Sequence, residues 1–222
     1  MTETRDAMTE VRNVPARTAE AGPGTGEPPT GSARRLKVVG INGSYGSPSK
    51  TAALIDLIAQ EVARHYETDY ERVDVAFLGA DLTGALSRDS AGPNTVAALE
   101  SVEHADVLIA GSPVHQGSYS GLFKHFVDLV DSYALADKPT ILAATGGSER
   151  HMLMVDQELR PLFAYLQTHT SPTGVYASSG DFAEQAVLNP QVFSRIELTV
   201  RDLGPLLAAA VVRSRTHGET RQ

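Results

Sequence analysis

Apolar residues recur along this chain in two rhythms that take turns. Nearly continuous apolar runs fall at Leu36, Val38, Val39 and Ile41, and over 106–111 and 138–144; such runs predict strands buried on both faces. Segment 70–78 alternates apolar and polar at its start, as a less buried strand would, and 174–177 reads as the centre of a fifth strand. Between these runs the spacing becomes helical: Leu54, Ile55, Ile58 and Val62; Val96, Leu99 and Val102 within 94–103; Leu122, Phe126, Leu129 and Val130. Segment 152–166 also predicts a helix, with Pro161 expected to disturb it or start a new turn. A long closing helix over 190–212 carries Val192, Ile196, Val200, Leu203 and Leu207, with Gly204 and Pro205 predicting a kink.

Strands that alternate with helices imply right-handed crossovers and a parallel sheet covered on both faces. Five strands in this rhythm predict the flavodoxin-like, doubly wound α/β order 2-1-3-4-5, whose ligands sit beyond the carboxyl ends of the strands at the switch point between strands 1 and 3. In this chain those ends carry Gly43–Ser44–Tyr45–Gly46–Ser47–Pro48–Ser49–Lys50–Thr51, the run from Ser112 to Gly121, and Thr145–Gly146–Gly147–Ser148. All three loops are built of small, polar and glycine residues.

The ends of the chain follow neither rhythm. Residues 1–33 are rich in Thr, Glu, Arg, Pro and Gly and hold almost no large apolar residue, which predicts a disordered extension without the apolar core of a secretory signal. Residues 34–213 are enough for one domain with a real core, and 214–222 read as a flexible polar tail. The formal net charge of -8 argues against electrostatic binding to nucleic acid or an anionic membrane. The absence of cysteine removes disulfides, thiolate metal sites and thiol catalysis, and fits a cytoplasmic location. No apolar run is long enough to span a bilayer. The seven histidines include no H-x-x-x-H pair, and the G-x-S-x-G elbow is absent, so no metal site and no dedicated catalytic residue is expected.

The first loop delivers hydroxyls to the start of a helix, where unpartnered N–H groups and the helix dipole favour an anion. Ser44, Ser49 and Thr51 suit one terminal phosphate; neither the Walker A nor the G-x-G-x-x-G pattern is present. The same serines would equally serve as helix caps. The second loop, with Pro113, Val114, His115, Gln116, Ser118 and Tyr119, can lay backbone N–H groups along a flat heterocycle. In the third loop, Thr145, Gly146, Gly147 and Ser148 add closely approaching backbone donors. Ordinary strand-to-helix turn chemistry would account for the second and third loops too. A phosphate at one loop and a planar, heteroatom-rich ring between two others describe a flavin mononucleotide (FMN) better than a dinucleotide.

The residues from Gly43 to Thr51, Ser112 to Leu129 and Ala144 to Leu166 together resemble the NAD(P)H-dependent FMN reductases of flavodoxin-like fold, especially the reductases that partner alkanesulfonate-type monooxygenases. The resemblance spans 36 to about 181 in the expected order. It implies phosphate contacts from Ser44, Ser49 and Thr51, and ring contacts from the second- and third-loop residues named above. It also implies FMN with NADPH or NADH as cofactors, a monooxygenase as recipient of reduced flavin, and a homodimer or homotetramer. Two positions depart from the family: many relatives have Tyr where this chain has His115, and Gln157 stands in the helix where monooxygenase-partner reductases carry an inserted aromatic or His. Hydride transfer to a flavin is the cofactor's own chemistry, with the protein supplying stacking, electrostatics and exclusion of water. Alternatives are an FMN-bound quinone, azo or nitro reductase, a non-enzymatic FMN electron carrier, and an interaction module that has lost the flavin.

Overall fold

The computed structural model describes residues 35–219; the expectations for 1–33 and for the last three residues lie outside them. Strand β1 (Leu36–Asn42) leads to helix α1 (Lys50–His65) and strand β2 (Thr68–Asp74). After a 3-10 turn over Val75–Leu78 come α2 (Ala80–Thr83) and α3 (Pro93–Glu103), then β3 (Val107–Pro113), α4 (Gly121–Asp128) and β4 (Pro139–Gly146). A π-helical turn, Val155–Leu159, runs directly into α5 (Arg160–Tyr165). The rest comprises β5 (His169–Thr170), β6 (Val175–Ser178), a small hairpin of β7 (Phe182–Ala183) and β8 (Ala186–Val187), α6 (Pro190–Asp202) and α7 (Gly204–Glu219).

The sheet has the order β2-β1-β3-β4-β5, all parallel, with β6 also paired to β4. This is the predicted order with the fifth strand split. Pro139 and Thr140 pair with His169 and Thr170, and Ala143 to Gly146 pair with Val175 to Ser178. Pro172 falls in the gap, where a residue without an N–H does not interrupt a ladder.

Successive residues of the central strands feed two separate cores. Val39, Ile41, Leu108, Ala110, Leu142 and Ala144 face α3, α4 and α5 through Leu99, Phe126 and Phe163. Leu36, Val38, Val107, Ile109, Ile141 and Ala143 face α1, α6 and α7 through Ile55, Ile58, Ile196 and Leu207. Burial on both faces explains why β1, β3 and β4 read as unbroken apolar runs. Strand β2 lies at the edge, with a single buried residue, Val73, so its pattern is mixed.

Several boundaries differ from expectation for identifiable reasons. The second strand stops at Asp74, because Val75 turns into the core and the chain reverses at Gly79, where φ is +56°. Pro161 cannot donate the hydrogen bond a continuous helix would require of it. The chain takes a wider π turn before it and starts α5 with Pro161 in the first turn. The closing helix breaks at Leu203 into α6 and α7, and α7 continues through Glu219. Among the described residues no helix is long and apolar enough to cross a membrane.

Candidate functional site

At the carboxyl edge of the sheet the three loops are bonded to one another. Gly43 N–H donates to the Gly111 carbonyl at 2.8 Å. The Ser120 hydroxyl donates to the Gly43 carbonyl at 2.6 Å and, as N-cap of α4, accepts from Phe123 N–H at 3.2 Å. Val114 N–H donates to the Thr145 carbonyl at 2.7 Å, joining second loop to third. The hydroxyls of Thr51 and Thr145 lie 2.7 Å apart and are both buried, joining first loop to third. Each hydroxyl has one hydrogen, so one of the two remains available after this bond forms.

The first loop ends on Ser49, the N-cap of α1, whose side-chain oxygen accepts from Ala52 N–H at 3.1 Å. The hydroxyl hydrogen of Ser49 is not used by that bond. The first N–H groups of α1 have no preceding turn to bond, and no acidic side chain occupies the first turn. A basic residue, Lys50, stands there instead; its Nζ donates to the Ser179 carbonyl at 3.3 Å and lies 5.4 Å from the Phe182 ring centroid. Asn42 holds the loop from behind. Its Oδ1 accepts from Ser44 N–H at 3.1 Å while its Nδ2 donates to Asp74 at 2.6 Å. Arg72 in turn bridges Asp74 and Asp56. The charge of Arg72 is strengthened first by its bonds to Asp74, against the cost of burial.

In the second loop the backbones of His115 and Ser118 exchange hydrogen bonds at 2.8 and 3.0 Å. Between them Gln116 (φ +51°) and Gly117 (φ +86°) both occupy the left-handed region, as a two-residue type I′ turn demands. The turn is pinned from two sides. The Tyr45 ring packs edge-on against His115, with centroids 4.8 Å apart, and its hydroxyl accepts from Leu122 N–H at 3.3 Å. The Ser118 hydroxyl donates to Glu158, on the π turn, at 2.9 Å. In the third loop Tyr176 donates to the Ser148 carbonyl, passing so close to Gly146 that a Cβ there would lie 2.4 Å from its hydroxyl.

These contacts bring all thirteen sequence-predicted positions onto one edge: Ser44, Ser49 and Thr51 on the first loop, Pro113 to Gln116, Ser118 and Tyr119 on the second, and Thr145 to Ser148 on the third. Thr51 and Thr145 are buried; His115, Gln116 and Gly147 are exposed; Tyr119 is half-buried and packs toward Phe123 at 6.0 Å. Tyr45, Glu158 and Tyr176 were not singled out from the sequence. Nothing local marks them, since each acts on a residue distant in the chain. Asp181 caps its own turn. Burial pushes its carboxyl up, but hydrogen bonds from Asn189 and Ser178 outweigh that and hold it below the ordinary carboxylate range.

A Cβ built on Gly46, Gly117 or Gly147, one on each loop, would meet no atom within 4 Å. The rims of all three loops therefore border open space, beside a helix start without acid. The Ser49 hydroxyl hydrogen and the unpartnered N–H groups at the acid-free start of α1 would suit the phosphate of FMN.

Comparison with known proteins agrees with this chemistry. The profile of the NADPH-dependent FMN reductase family matches residues 36–183. An NADH-dependent FMN reductase, SfnF, of Pseudomonas putida is 46% identical over 163 residues, 73% of this chain and 88% of that one. An FMN reductase (NADPH) of Pseudomonas aeruginosa is 41% identical over 171 residues, 77% of this chain and 92% of that one. Among solved structures, an oxidoreductase from Corynebacterium diphtheriae is 31% identical and superposes with a TM-score of 0.70 over 79% of this chain and 98% of that one.

Proposed function

Because this chain belongs to the family of NADPH-dependent FMN reductases, we propose that it passes hydride from NADH or NADPH to FMN and releases the reduced flavin to a flavin-dependent monooxygenase. When bound, FMN supplies the two-electron acceptor. The chain's own part is to bind, orient and exclude. Ser44, Ser49 and the free N–H groups at the start of α1 take the phosphate, with Lys50 adding positive charge and no acid opposing it. The backbone edges of the His115–Ser118 turn and of Thr145–Ser148 fix the ring. The Tyr45–His115 pair, tied to α4 through the Tyr45 hydroxyl, supports the second loop from the side of the first. No side chain is assigned as acid or base.

The observation that carries this reading is the hydrogen-bonded convergence of three loops, each with a solvent-facing glycine, on the acid-free start of α1. The exposure of His115, Gln116, Gly117 and Gly147 supports exchange of the flavin with solvent. Large exposed side chains, among them Phe77, Leu86, Tyr133 and Tyr165, support assembly with further copies of this chain, and cysteine-free composition supports a cytoplasmic setting. The test is steady-state oxidation of NADH and NADPH with excess free FMN and no other acceptor. Turnover saturating in FMN, with riboflavin much poorer, is the expected result. Oxidation that requires a quinone, or tight FMN without any nicotinamide turnover, would replace the reading by a bound-flavin reductase or an electron carrier. Sedimentation at micromolar concentration reads the oligomer.

A further inference from the structure

Behind the first loop runs a chain of polar bonds that begins on the edge strand. Arg72 of β2 sends its stem across β1 at Gly40, where a Cβ would lie 3.4 Å from the Arg72 Cγ. Its guanidinium forks onto Asp74, with Nε donating to Oδ1 at 2.9 Å and a terminal nitrogen donating to Oδ2 at 3.1 Å. The other terminal nitrogen donates to Asp56 of α1, which also accepts from the Tyr70 hydroxyl at 2.6 Å. Asp74 Oδ1 takes one bond more, from Asn42 Nδ2 at 2.6 Å, and Asn42 Oδ1 accepts from Ser44 N–H at 3.1 Å. The path from edge strand to first loop is therefore continuous: Arg72, Asp74, Asn42, Ser44.

This path sets both geometry and charge. Asn42 is only 3% exposed, and an amide can point either way round unless its partners decide. A carboxylate can only accept, so Asp74 faces the NH₂ group and leaves the amide oxygen for Ser44 N–H. Ser44 keeps its hydroxyl hydrogen, because its Oγ only accepts, from Gly46 N–H at 3.5 Å. That hydrogen is what Ser44 can offer a phosphate. Asp74 and Asp56 meanwhile bring two carboxylates close to a loop that would hold an anion. Among the described residues Arg72 is the one cation paired with either. The side chains of Arg72 and Asp74 are 26% and 19% exposed, so solvent screens the pair only in part.

We infer that Arg72 is a positioning residue for FMN: it fixes Asp74 and, through Asn42, the Ser44 corner of the loop, and its charge keeps the two carboxylates from repelling the phosphate. The inference rests on the FMN reductase reading and on the phosphate lying at the first loop. Riboflavin lacks that phosphate, so its binding should not depend on Arg72.

The experiment titrates FMN and riboflavin, by flavin fluorescence, against the full-length chain and three variants at low and high salt. The unaltered chain should prefer FMN. Arg72→Gln should weaken FMN by about tenfold, as an uncompensated carboxylate near a phosphate would, and leave riboflavin unchanged. High salt should shrink that loss, since a charge effect is screened and a packing defect is not. Arg72→Lys, which keeps the charge without the fork, should lose less than Arg72→Gln. Arg72→Gln combined with Asp74→Asn, which removes a charge but keeps an acceptor for Asn42, should recover most of the FMN affinity. Equal losses for both flavins, a loss indifferent to salt, an equal loss in Arg72→Lys, or no recovery in the double variant would overturn the inference. NADH and NADPH oxidation with FMN, measured on the same preparations, separates the claims. If the unaltered chain oxidises neither cofactor, the reductase reading fails; if it binds riboflavin as tightly as FMN, the phosphate placement fails. If it turns over and prefers FMN while Arg72→Gln keeps both affinities, only the role of Arg72 fails.

Discussion

Single side chains in the candidate site do two jobs at once, and substitutions can separate them. Ser49 accepts a helix N–H and keeps its own hydrogen to donate. Ser49→Ala should cost about 1 kcal/mol of stability as a lost cap and a further ~1–3 kcal/mol of FMN affinity as a lost bond to a charged group. Riboflavin, which has no phosphate, should bind the variant as it binds the parent; fluorescence titration of both flavins checks this, and equal losses would move the phosphate elsewhere. Gln116 is held at φ +51° without being glycine, a conformation that costs a side-chain-bearing residue about 1–2 kcal/mol. Gln116→Gly should therefore raise the urea midpoint or leave it unchanged, while a β-branched residue there should lower it. The hydroxyls and glycines of this site were legible in the sequence because their chemistry is local. Tyr45 and Glu158 were not, because their meaning lies in His115 and Ser118, far away along the chain.

At the level of elements, Phe123 of α4 is the support beneath the site. It is fully buried, a Cβ on Gly43 would lie 2.8 Å from it, and its ring lies 6.0 Å from Tyr119 and 6.4 Å from Phe163. Phe123→Ala should cost about 3–5 kcal/mol and weaken FMN as well, since the first and second loops rest on the same ring; thermal denaturation and flavin titration of one preparation read both. Arg160 holds the π turn to the gap in the fifth strand, donating to Asp156, Thr170 and the carbonyls of Ser171 and Pro172. The irregular turn at Pro161 was visible as a proline in a helical pattern, but its π geometry was not, because a missing N–H says that a helix must change and not how. The turn at Ser178–Asp181 predicts a pH dependence. The Asp181 carboxyl is held below its ordinary value, so its contribution to stability is complete above the unfolded-state value, about 3.9. That contribution is lost as pH falls through the lower folded value. The amide resonance of Ser178, whose N–H donates to the Asp181 carboxylate, should shift in that acidic window, and Asp181→Asn should abolish the shift.

For the whole molecule, the site exists only where three strand ends meet, so a ligand that bridges them should stabilise the fold and not merely a loop. FMN at a hundred times its dissociation constant should add about 2.7 kcal/mol of stability, read as a rise in melting temperature that riboflavin produces only in part. The strand order, the two-faced sheet and the convergence of the small-residue loops were all determined by the sequence. Unbroken apolar runs can be buried only between two helical layers, and right-handed crossovers then leave few ways to order the strands. Tertiary structure alone decided which groups on those loops remain free to meet a ligand. Hydrogen bonds such as Thr51 to Thr145 and Ser118 to Glu158 consume or orient donors according to distances in space, and no spacing along the chain encodes them.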